Sequence, residues 1–291
     1  MSMKPNRKVA CAAVAAIIFL LLGAVAPVRA QDSAPVQVSG SKYMFFTLTE
    51  LASYYAEHYP DRKVAVMATD ADEGLQAVLS KTADAVMVLG ELEADAKEEA
   101  ADRGVKLSEQ VVGWGAVAIV THPNNPISEL TIEQIRKIFS GEYDNWRQVG
   151  GPDLAIVTLT RDETVSGTEK FFKQFVLKGF PMAQGTIKVF DYNIVRAIWK
   201  QPAGVADARF TEAVRGRTKG MVKIIAVKQD ETTPGIMPSA ETVQGQVYPI
   251  SAPMMMYYNR AAYRTALKEF ADFCSNRGVM DLYRRYSQLR P

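Results

Sequence analysis

Apolar positions along this chain recur with two spacings, one typical of helices and one typical of strands. Phe46, Leu48, Leu51, Ala52 and Tyr55 fall near a 3.6-residue period, which predicts a helix over 43–58. Short apolar runs bounded by turn-forming residues predict buried strands. These runs cover 36–39, 63–68, 83–89, 111–121, 154–159, 187–190, 221–227 and 248–258. Because strand-like and helix-like segments alternate, the pattern predicts an α/β fold.

Further helices are predicted where apolar residues keep the helical period. They cover 74–80, 91–103, 131–139, 194–200 and 260–276, and an amphipathic segment begins near Ser166. Thr131 and Gln134 form a capping-box pattern, and Arg277-Gly278 is a stop signal for the last helix. The stretch 232–246 is rich in Pro, Gly, Ser and Thr and is predicted to be a connecting loop.

The first thirty residues have the pattern of an export signal. Lys4, Arg7 and Lys8 precede an almost wholly apolar run over 9–25, and Val28-Arg29-Ala30 ends in the small residue typical of a cleavage site. No second apolar run of that length follows. We therefore expect removal of residues 1–30 and a soluble mature protein that is periplasmic or secreted. An uncleaved membrane anchor is the alternative.

Charge and cysteine content exclude some partners and cross-links. The chain has 34 basic and 32 acidic residues, and loss of Lys4, Arg7, Lys8 and Arg29 leaves 30 against 32, a net charge near −2. No Lys/Arg-rich block supports a nucleic-acid or membrane-surface partner. Cys274 is the one cysteine outside the predicted signal, so no internal disulfide is expected. It is predicted to be a buried, inert residue.

The strongest candidate for ligand chemistry is the segment from Arg161 to Glu169. It follows an apolar strand pattern and begins the amphipathic segment at Ser166-Gly167-Thr168. A helix start presents backbone N–H groups and partial positive charge, and an upstream arginine adds a fork of donors. These features suit a phosphate-like anion or a carboxylate. Alternatively, Ser166 and Glu169 form a capping box that satisfies the same N–H groups without a ligand.

Five motifs then occur in a characteristic order. They are His122-Pro-Asn-Asn-Pro126, the segment 130–151, Arg161, Ser166-Gly167-Thr168, and the segment 248–259. On these motifs the chain resembles the phosphate-binding proteins of bacterial ABC importers, within the bilobed periplasmic substrate-binding superfamily. The resemblance covers nearly the whole mature chain.

The resemblance implies an α/β fold of two lobes with type II topology and a ligand cleft between them. Residues 31–114 and 244–291 would form lobe 1, and residues 115–243 would form lobe 2. The implied function is that of an extracytoplasmic solute-binding protein, which captures phosphate or a similar oxyanion for the membrane permease of an ABC importer. No cofactor, metal or nucleic acid is implied, and a monomer is expected.

Carried over residue by residue, the resemblance gives ligand contacts on both lobes. The matching positions of lobe 2 are Arg161, Ser166, Gly167 and Thr168. One more residue than usual separates Arg161 from Ser166, which leaves the direction of Arg161 open. On lobe 1 the candidate contacts are Ser41 and Lys42, and Lys42 stands where the family has a hydroxyl residue.

Lobe 1 departs further from the family pattern. The family's glycine-rich anion loop is replaced here by Asp70-Ala-Asp72-Glu73-Gly74, and Asp84 matches the start of the next strand. Asp70, Asp72 and Asp84 are therefore candidates of uncertain role. In one interpretation, Asp70, Asp72 and Glu73 face solvent while phosphate binds to Arg161, Lys42 and the segment 166–168. In another, the acidic segment faces the cleft, and Asp70 or Asp72 holds the ammonium of a zwitterionic carboxylate ligand. In a third interpretation, Asp72 or Glu73 caps a helix and the cleft binds nothing tightly.

Other classes of function have less support. His58 and His122 are the only histidines, no Gly-x-Ser-x-Gly motif occurs, and neither histidine has a zinc-ligand companion at helical spacing. An enzyme is therefore not expected. A degenerate bilobed scaffold that acts as a sensor or protein-interaction module remains the alternative to a transport receptor.

Overall fold

The computed structural model describes residues 34–161, 171–189 and 194–288, without the side chain of Thr218. Every element below belongs to one compact unit that begins at Val36. The predicted signal, residues 1–30, lies outside the described residues. So do Ser166, Gly167 and Thr168.

The described residues form short strands that alternate with helices through most of the chain. The strands are β1 Val36–Ser41, β2 Val64–Thr69, β3 Ala85–Leu89, β4 Leu107–Thr121, β5 Glu129–Thr131, β6 Val157–Arg161, β7 Ile187–Val189, β8 Gly204–Arg209, β9 Lys223–Ile224, β10 Ala226–Lys228 and β11 Ser251–Asn259. The α-helices are α1 Met44–His58, α2 Ala71–Leu79, α3 Ala94–Asp102, α4 Ile132–Ser140, α5 Ile194–Trp199, α6 Phe210–Thr218, α7 Ala240–Gln244, α8 Thr265–Phe273 and α9 Val279–Ser287. The predicted α/β class is confirmed.

One sheet runs through the structure in the order β2-β1-β3-β11-β4-β8-β6-β7, with β9 also paired to β4. β1 is parallel to β2 and β3, while β8 is parallel to β6, which is parallel to β7. β4 runs antiparallel to both β11 and β8. Two parallel groups are thus joined through antiparallel central strands, which agrees with the predicted type II topology.

β4 is the strand that belongs to both groups. Its residues up to Ala116 pair with β11, and Val117–Thr121 pair with β8. The group containing β1 is the first lobe below, and the group containing β6 and β8 is the second lobe. The change of partner follows Ala116, close to the predicted boundary. The boundaries of 31–114, 115–243 and 244–291 stay a prediction.

Near the point where β4 changes partner, side chains form the hydrogen bonds to the backbone of Trp114. Trp114 lies opposite Pro253, which has no N–H to donate. The Trp114 N–H donates to Gln244 Oε1 at 3.1 Å, and Gln244 Nε2 donates to the Trp114 carbonyl at 2.7 Å. Tyr283 Oη donates to the same carbonyl at 3.1 Å. α7 and α9 thereby fix the strand where the two lobes join.

The largest fully buried side chain is that of Trp146, in the second lobe. Its indole N–H donates to the Ala203 carbonyl at 3.1 Å, so its polar edge is satisfied. The predicted capping box of Thr131 and Gln134 is present at the start of α4. Cys274 is buried and free, as predicted.

Four sequence-based assignments are corrected by the fold. α7 lies within the predicted loop 232–246, where Ser239 caps it. α6 lies where no helix was predicted, and α2 begins at Ala71 rather than at Gly74. The predicted last helix does not end at Arg277-Gly278, because a π-helical turn over Cys274–Gly278 leads into α9. Gly278 is helical, and a Cβ there would lie 2.7 Å from Phe273, so this glycine serves close packing rather than chain reversal.

Candidate functional site

The candidate site lies where strands of both lobes end. Ser41 ends β1 and Leu89 ends β3 in the first lobe, while Arg161 ends β6 and Arg209 ends β8 in the second. Ligands of open α/β sheets bind outside the carboxyl ends of the strands. This edge of the structure therefore carries the residues that decide what the protein can bind.

Three charged residues form a largely buried group at this edge, called the arginine cluster below. Arg161 and Arg209 both donate to Glu212, which lies in the first turn of α6. Arg161 Nη2 bonds Oε2 of Glu212, and Arg209 Nη2 bonds Oε1 at 2.5 Å. The Arg161 and Arg209 side chains are 1% and 4% exposed. The arginine cluster is thus two guanidiniums held by one carboxylate.

Glu212 is ionised within this cluster. Burial raises its pKa, but the charges of Arg209 and Arg161 and their hydrogen bonds more than offset that effect, so its pKa lies below the usual value for a glutamate. Removing one partner of such a buried pair leaves an uncompensated charge, which costs far more than loss of an exposed pair. The three side chains are therefore expected to act as a unit.

Tyr43 brings the first lobe next to the arginine cluster. Its hydroxyl donates to the Ala116 carbonyl at 2.9 Å. Burial raises its pKa, and the charges of Arg209, Glu212 and Arg161 also act on it. Tyr43 is the N-cap residue of α1, and its side chain makes no capping hydrogen bond there. The start of α1 thus lies close to the arginine cluster, with Ser41 and Lys42 immediately before it.

Asp70 and Glu73 have a clear structural role. The Glu73 N–H donates to Asp70 Oδ1 at 2.8 Å, and the Asp70 N–H donates to Glu73 Oε2 at 3.4 Å, which makes a capping box at the start of α2. Asp72 is exposed in the first turn of the helix. The geometry favours the helix-cap interpretation of this segment, with Asp70 as the cap rather than Asp72 or Glu73.

Gly74 has a packing reason that is independent of any ligand. A Cβ at this position would lie 2.5 Å from Val86 Cγ2 and 2.9 Å from Ser39 Oγ. α2 therefore packs on the sheet more closely than any residue with a side chain would allow. This contact explains why position 74 is a glycine.

The cap can be tested by substitution. Asp70→Ala is expected to lower the free energy of unfolding by about 1 kcal/mol, because the Glu73 N–H loses its acceptor. Asp70→Ser is the control, since serine caps helices about as well as aspartate. Urea unfolding of the three proteins measures this difference. Equal stability of the alanine and serine variants would contradict the capping role.

Asp84 lies at the other end of the first lobe from Ser41. It precedes β3, accepts the Gln37 N–H at 2.7 Å and pairs with Arg264 at 3.0 Å. Gln37 is near the amino end of β1. The structure therefore does not bring Asp84 together with the arginine cluster, and its charge is used to join the start of β3 to the C-terminal segment.

Other concave or chemically distinctive features of the described residues do not resemble an anion site. A cavity of about 440 Å³ lies at the strand crossing, between Trp114, Tyr248 and the segment 229–236, and its lining has no charged side chain. His122 stacks on Trp199, and the His58 ring lies edge-on to Tyr54. Within the described ranges, no group of three or more His, Cys, Asp or Glu could hold a metal ion. No helix in those ranges is long and apolar enough to cross a membrane.

Sequence reasoning missed Arg209 and Glu212. Arg161 was identified from the motif that it precedes, but its buried partner lies 51 residues further along the chain. The only local signal was a pair of opposite charges three residues apart, with Arg209 before Glu212. Such pairs are common on solvated helices, so the pattern alone did not indicate a buried site.

The fold and the site define a two-lobed α/β binding protein, in which the arginine cluster of one lobe lies beside the start of the first helix of the other. A family model described as PBP superfamily domain matches residues 25–277, so the chain belongs to that superfamily.

Several relatives are similar over most of their length. The phosphate-binding protein PstS of Bacillus subtilis (strain 168) is 26% identical over 248 residues, which are 85% of this chain and 77% of that protein. PstS of Borreliella burgdorferi is 24% identical over 255 residues, 85% of this chain and 86% of that protein. The crystal structure of an ABC-type phosphate transport receptor from Vibrio cholerae superposes with a TM-score of 0.68 at 22% identity, covering 88% of this chain and all of that one.

Proposed function

We propose that this protein is an exported solute-binding receptor, which captures phosphate or a similar oxyanion and delivers it to the membrane permease of an ABC importer. The observation that carries the proposal is the arginine cluster at the carboxyl ends of β6 and β8, next to the start of α1. Relatives that bear the name phosphate-binding protein support the same ligand. Membership of the superfamily supports a role in binding rather than catalysis.

In the proposed binding mode, both lobes contribute donors. Arg161 and the Ser166-Gly167-Thr168 segment act from the second lobe. Ser41, Lys42 and the backbone N–H groups at the start of α1 act from the first lobe. Hydrogen bonds that join charged groups contribute about 1.5–3 kcal/mol each, so a few of them suffice for tight capture.

A zwitterionic ligand is less well supported. Such a ligand would place its ammonium on Asp70 or Asp72. Asp70 is engaged with Glu73 in the capping box, and Asp72 is exposed. The carboxylates are thus used at the helix start, where negative charge is stabilised by the helix dipole.

Titration calorimetry of the purified mature protein tests the ligand class. Phosphate and sulfate are compared with a neutral zwitterion such as glycine, with tryptophan fluorescence as a second signal for lobe closure. We expect saturable binding of phosphate at micromolar or lower concentration and no heat with glycine. Saturable binding of glycine without binding of phosphate would show that the ligand is a zwitterion instead. Absence of binding to every ligand would favour the degenerate scaffold.

A further inference from the structure

Arg209 is a buried arginine that the sequence motifs do not account for. It ends β8 beside the end of β6, where Arg161 lies. A guanidinium that loses its hydration on burial needs groups that return hydrogen bonds or charge. Glu212 returns both to Arg209, and the same carboxylate bonds Arg161. The two buried guanidiniums thus bond the same glutamate.

The carboxylate of Glu212 binds both guanidiniums at once, so a single oxyanion can bridge them. Its two oxygens accept from Arg161 and Arg209, respectively. Because both oxygens belong to one carboxylate, the two guanidiniums lie within a few ångströms of each other. A tetrahedral oxyanion presents pairs of oxygens with similar geometry, which is the arrangement that arginine forks recognise.

Arg209 is also fixed in direction and lies against the first lobe. Its Cζ is 4.6 Å from the centre of the Phe46 ring, in the first turn of α1. This contact and the Glu212 bond restrict the rotamers of a long side chain, so less entropy is lost when a ligand binds.

Arg161 also has one donor without an acceptor among the described residues. Its Nε is buried and has no hydrogen-bond partner among the residues that the structure describes. A buried donor without an acceptor is costly, and an oxyanion would supply the missing oxygen. In the first lobe, the segment from Asp70 to Gly74 is a capped helix start rather than an anion loop.

We infer that Arg209 is a second guanidinium ligand of the bound oxyanion, and that Glu212 is the positioning residue that aligns Arg209 with Arg161. Arg209 thereby supplies donors that the segment 70–74 does not offer. The inference rests on the proposed function of oxyanion capture. It adds a ligand-contacting residue that the motifs did not indicate.

Phosphate calorimetry on four variants tests the inference. Arg209→Gln is expected to weaken binding by at least about tenfold, since charge-assisted hydrogen bonds are lost. Arg209→Lys keeps the positive charge but lacks the forked guanidinium, and it is expected to lower phosphate affinity about threefold or more. Arg136→Gln is the matched control, because Arg136 is a largely buried arginine of α4 that bonds Glu133 and Glu142. This control is expected to keep its affinity within about twofold.

The double variant Arg209→Gln with Glu212→Gln distinguishes a direct contact between Arg209 and the anion from an effect of the local charge. It removes one charge of each sign, so an effect of local charge alone would return the affinity to that of the unmodified protein. We expect the double variant to stay weak, because a fork that touches the anion is still missing. Recovery of full affinity would overturn the direct contact, as would unchanged affinity in Arg209→Gln.

Separate controls distinguish loss of folding, failure of the proposed function and failure of the role given to Arg209. Thermal melts show whether each variant is folded, and if Arg209→Gln does not fold, unchanged affinity of Arg209→Lys overturns the inference. If the unmodified protein binds no oxyanion, the proposed function itself fails. If the unmodified protein binds phosphate and the Arg209 variants bind it equally well, only the role of Arg209 fails.

Discussion

Replacing Arg161 with alanine is expected to weaken phosphate binding by at least about 100-fold. Arg161 is buried at the end of β6 and belongs to the arginine cluster. Two charge-assisted hydrogen bonds to an anion are together worth about 3–6 kcal/mol, and each 1.4 kcal/mol is about tenfold in affinity. The substitution also leaves Glu212 with one guanidinium instead of two, which adds negative potential close to the ligand.

Arg136→Ala is the control for the loss of a buried arginine. Arg136 donates to Glu133 at 2.7 Å and also pairs with Glu142, and its guanidinium lies 4.1 Å from the Phe180 ring centre. We expect this variant to be less stable but to bind phosphate with unchanged affinity. Calorimetry at one ionic strength compares the two variants. If both lose affinity equally, the effect reflects general destabilisation and Arg161 is not a ligand contact.

Trp146→Ala is expected to lower the free energy of unfolding by about 3–5 kcal/mol, which is the usual cost of removing a large aromatic side chain from a core. Trp146 is fully buried, and its indole N–H is bonded to the Ala203 carbonyl. The substitution leaves both a cavity and a carbonyl without its donor. Urea unfolding, followed by circular dichroism because a tryptophan is lost, measures the change.

Trp199→Ala is the matched control for Trp146. Trp199 ends α5, is 49% exposed and stacks on His122. Its removal is expected to cost less than about 1 kcal/mol, since little buried surface is lost. A similar loss of stability in both variants would show that Trp146 is not a core residue of the second lobe.

The local elements were largely predictable because their causes are local. The helical period of residues 43–58 predicted α1, and the Thr131–Gln134 pattern predicted the start of α4. Where the sequence-based assignment failed, packing overrode a local signal. Glycine commonly ends a helix, so Arg277-Gly278 predicted a stop. In the structure, Gly278 has helical backbone angles and packs against Phe273.

In the acidic segment of the first lobe, residues 70–74, the sequence also did not decide the structural role of the side chains. The sequence left the role of Asp70 and Asp72 open between ligand contact, solvent exposure and helix capping. α2 begins at Ala71, three residues earlier than its apolar period suggested, which makes Asp70 the cap. Capping geometry depends on backbone angles at one residue, and the hydrophobic pattern does not specify those angles.

Residue types and their spacing predict the alternation of strands and helices, the order of motifs and the place of Arg161 before Ser166-Gly167-Thr168. These features depend on residue type and short spacing, which a linear chain displays directly. The folded chain was needed to find that Glu212 binds Arg161, that Arg209 bonds the same carboxylate, and that Tyr43 of the first lobe lies beside them. Arg161 and Glu212 are 51 residues apart in the chain, and they meet because β6 and β8 pair in parallel and end at the same edge of the sheet.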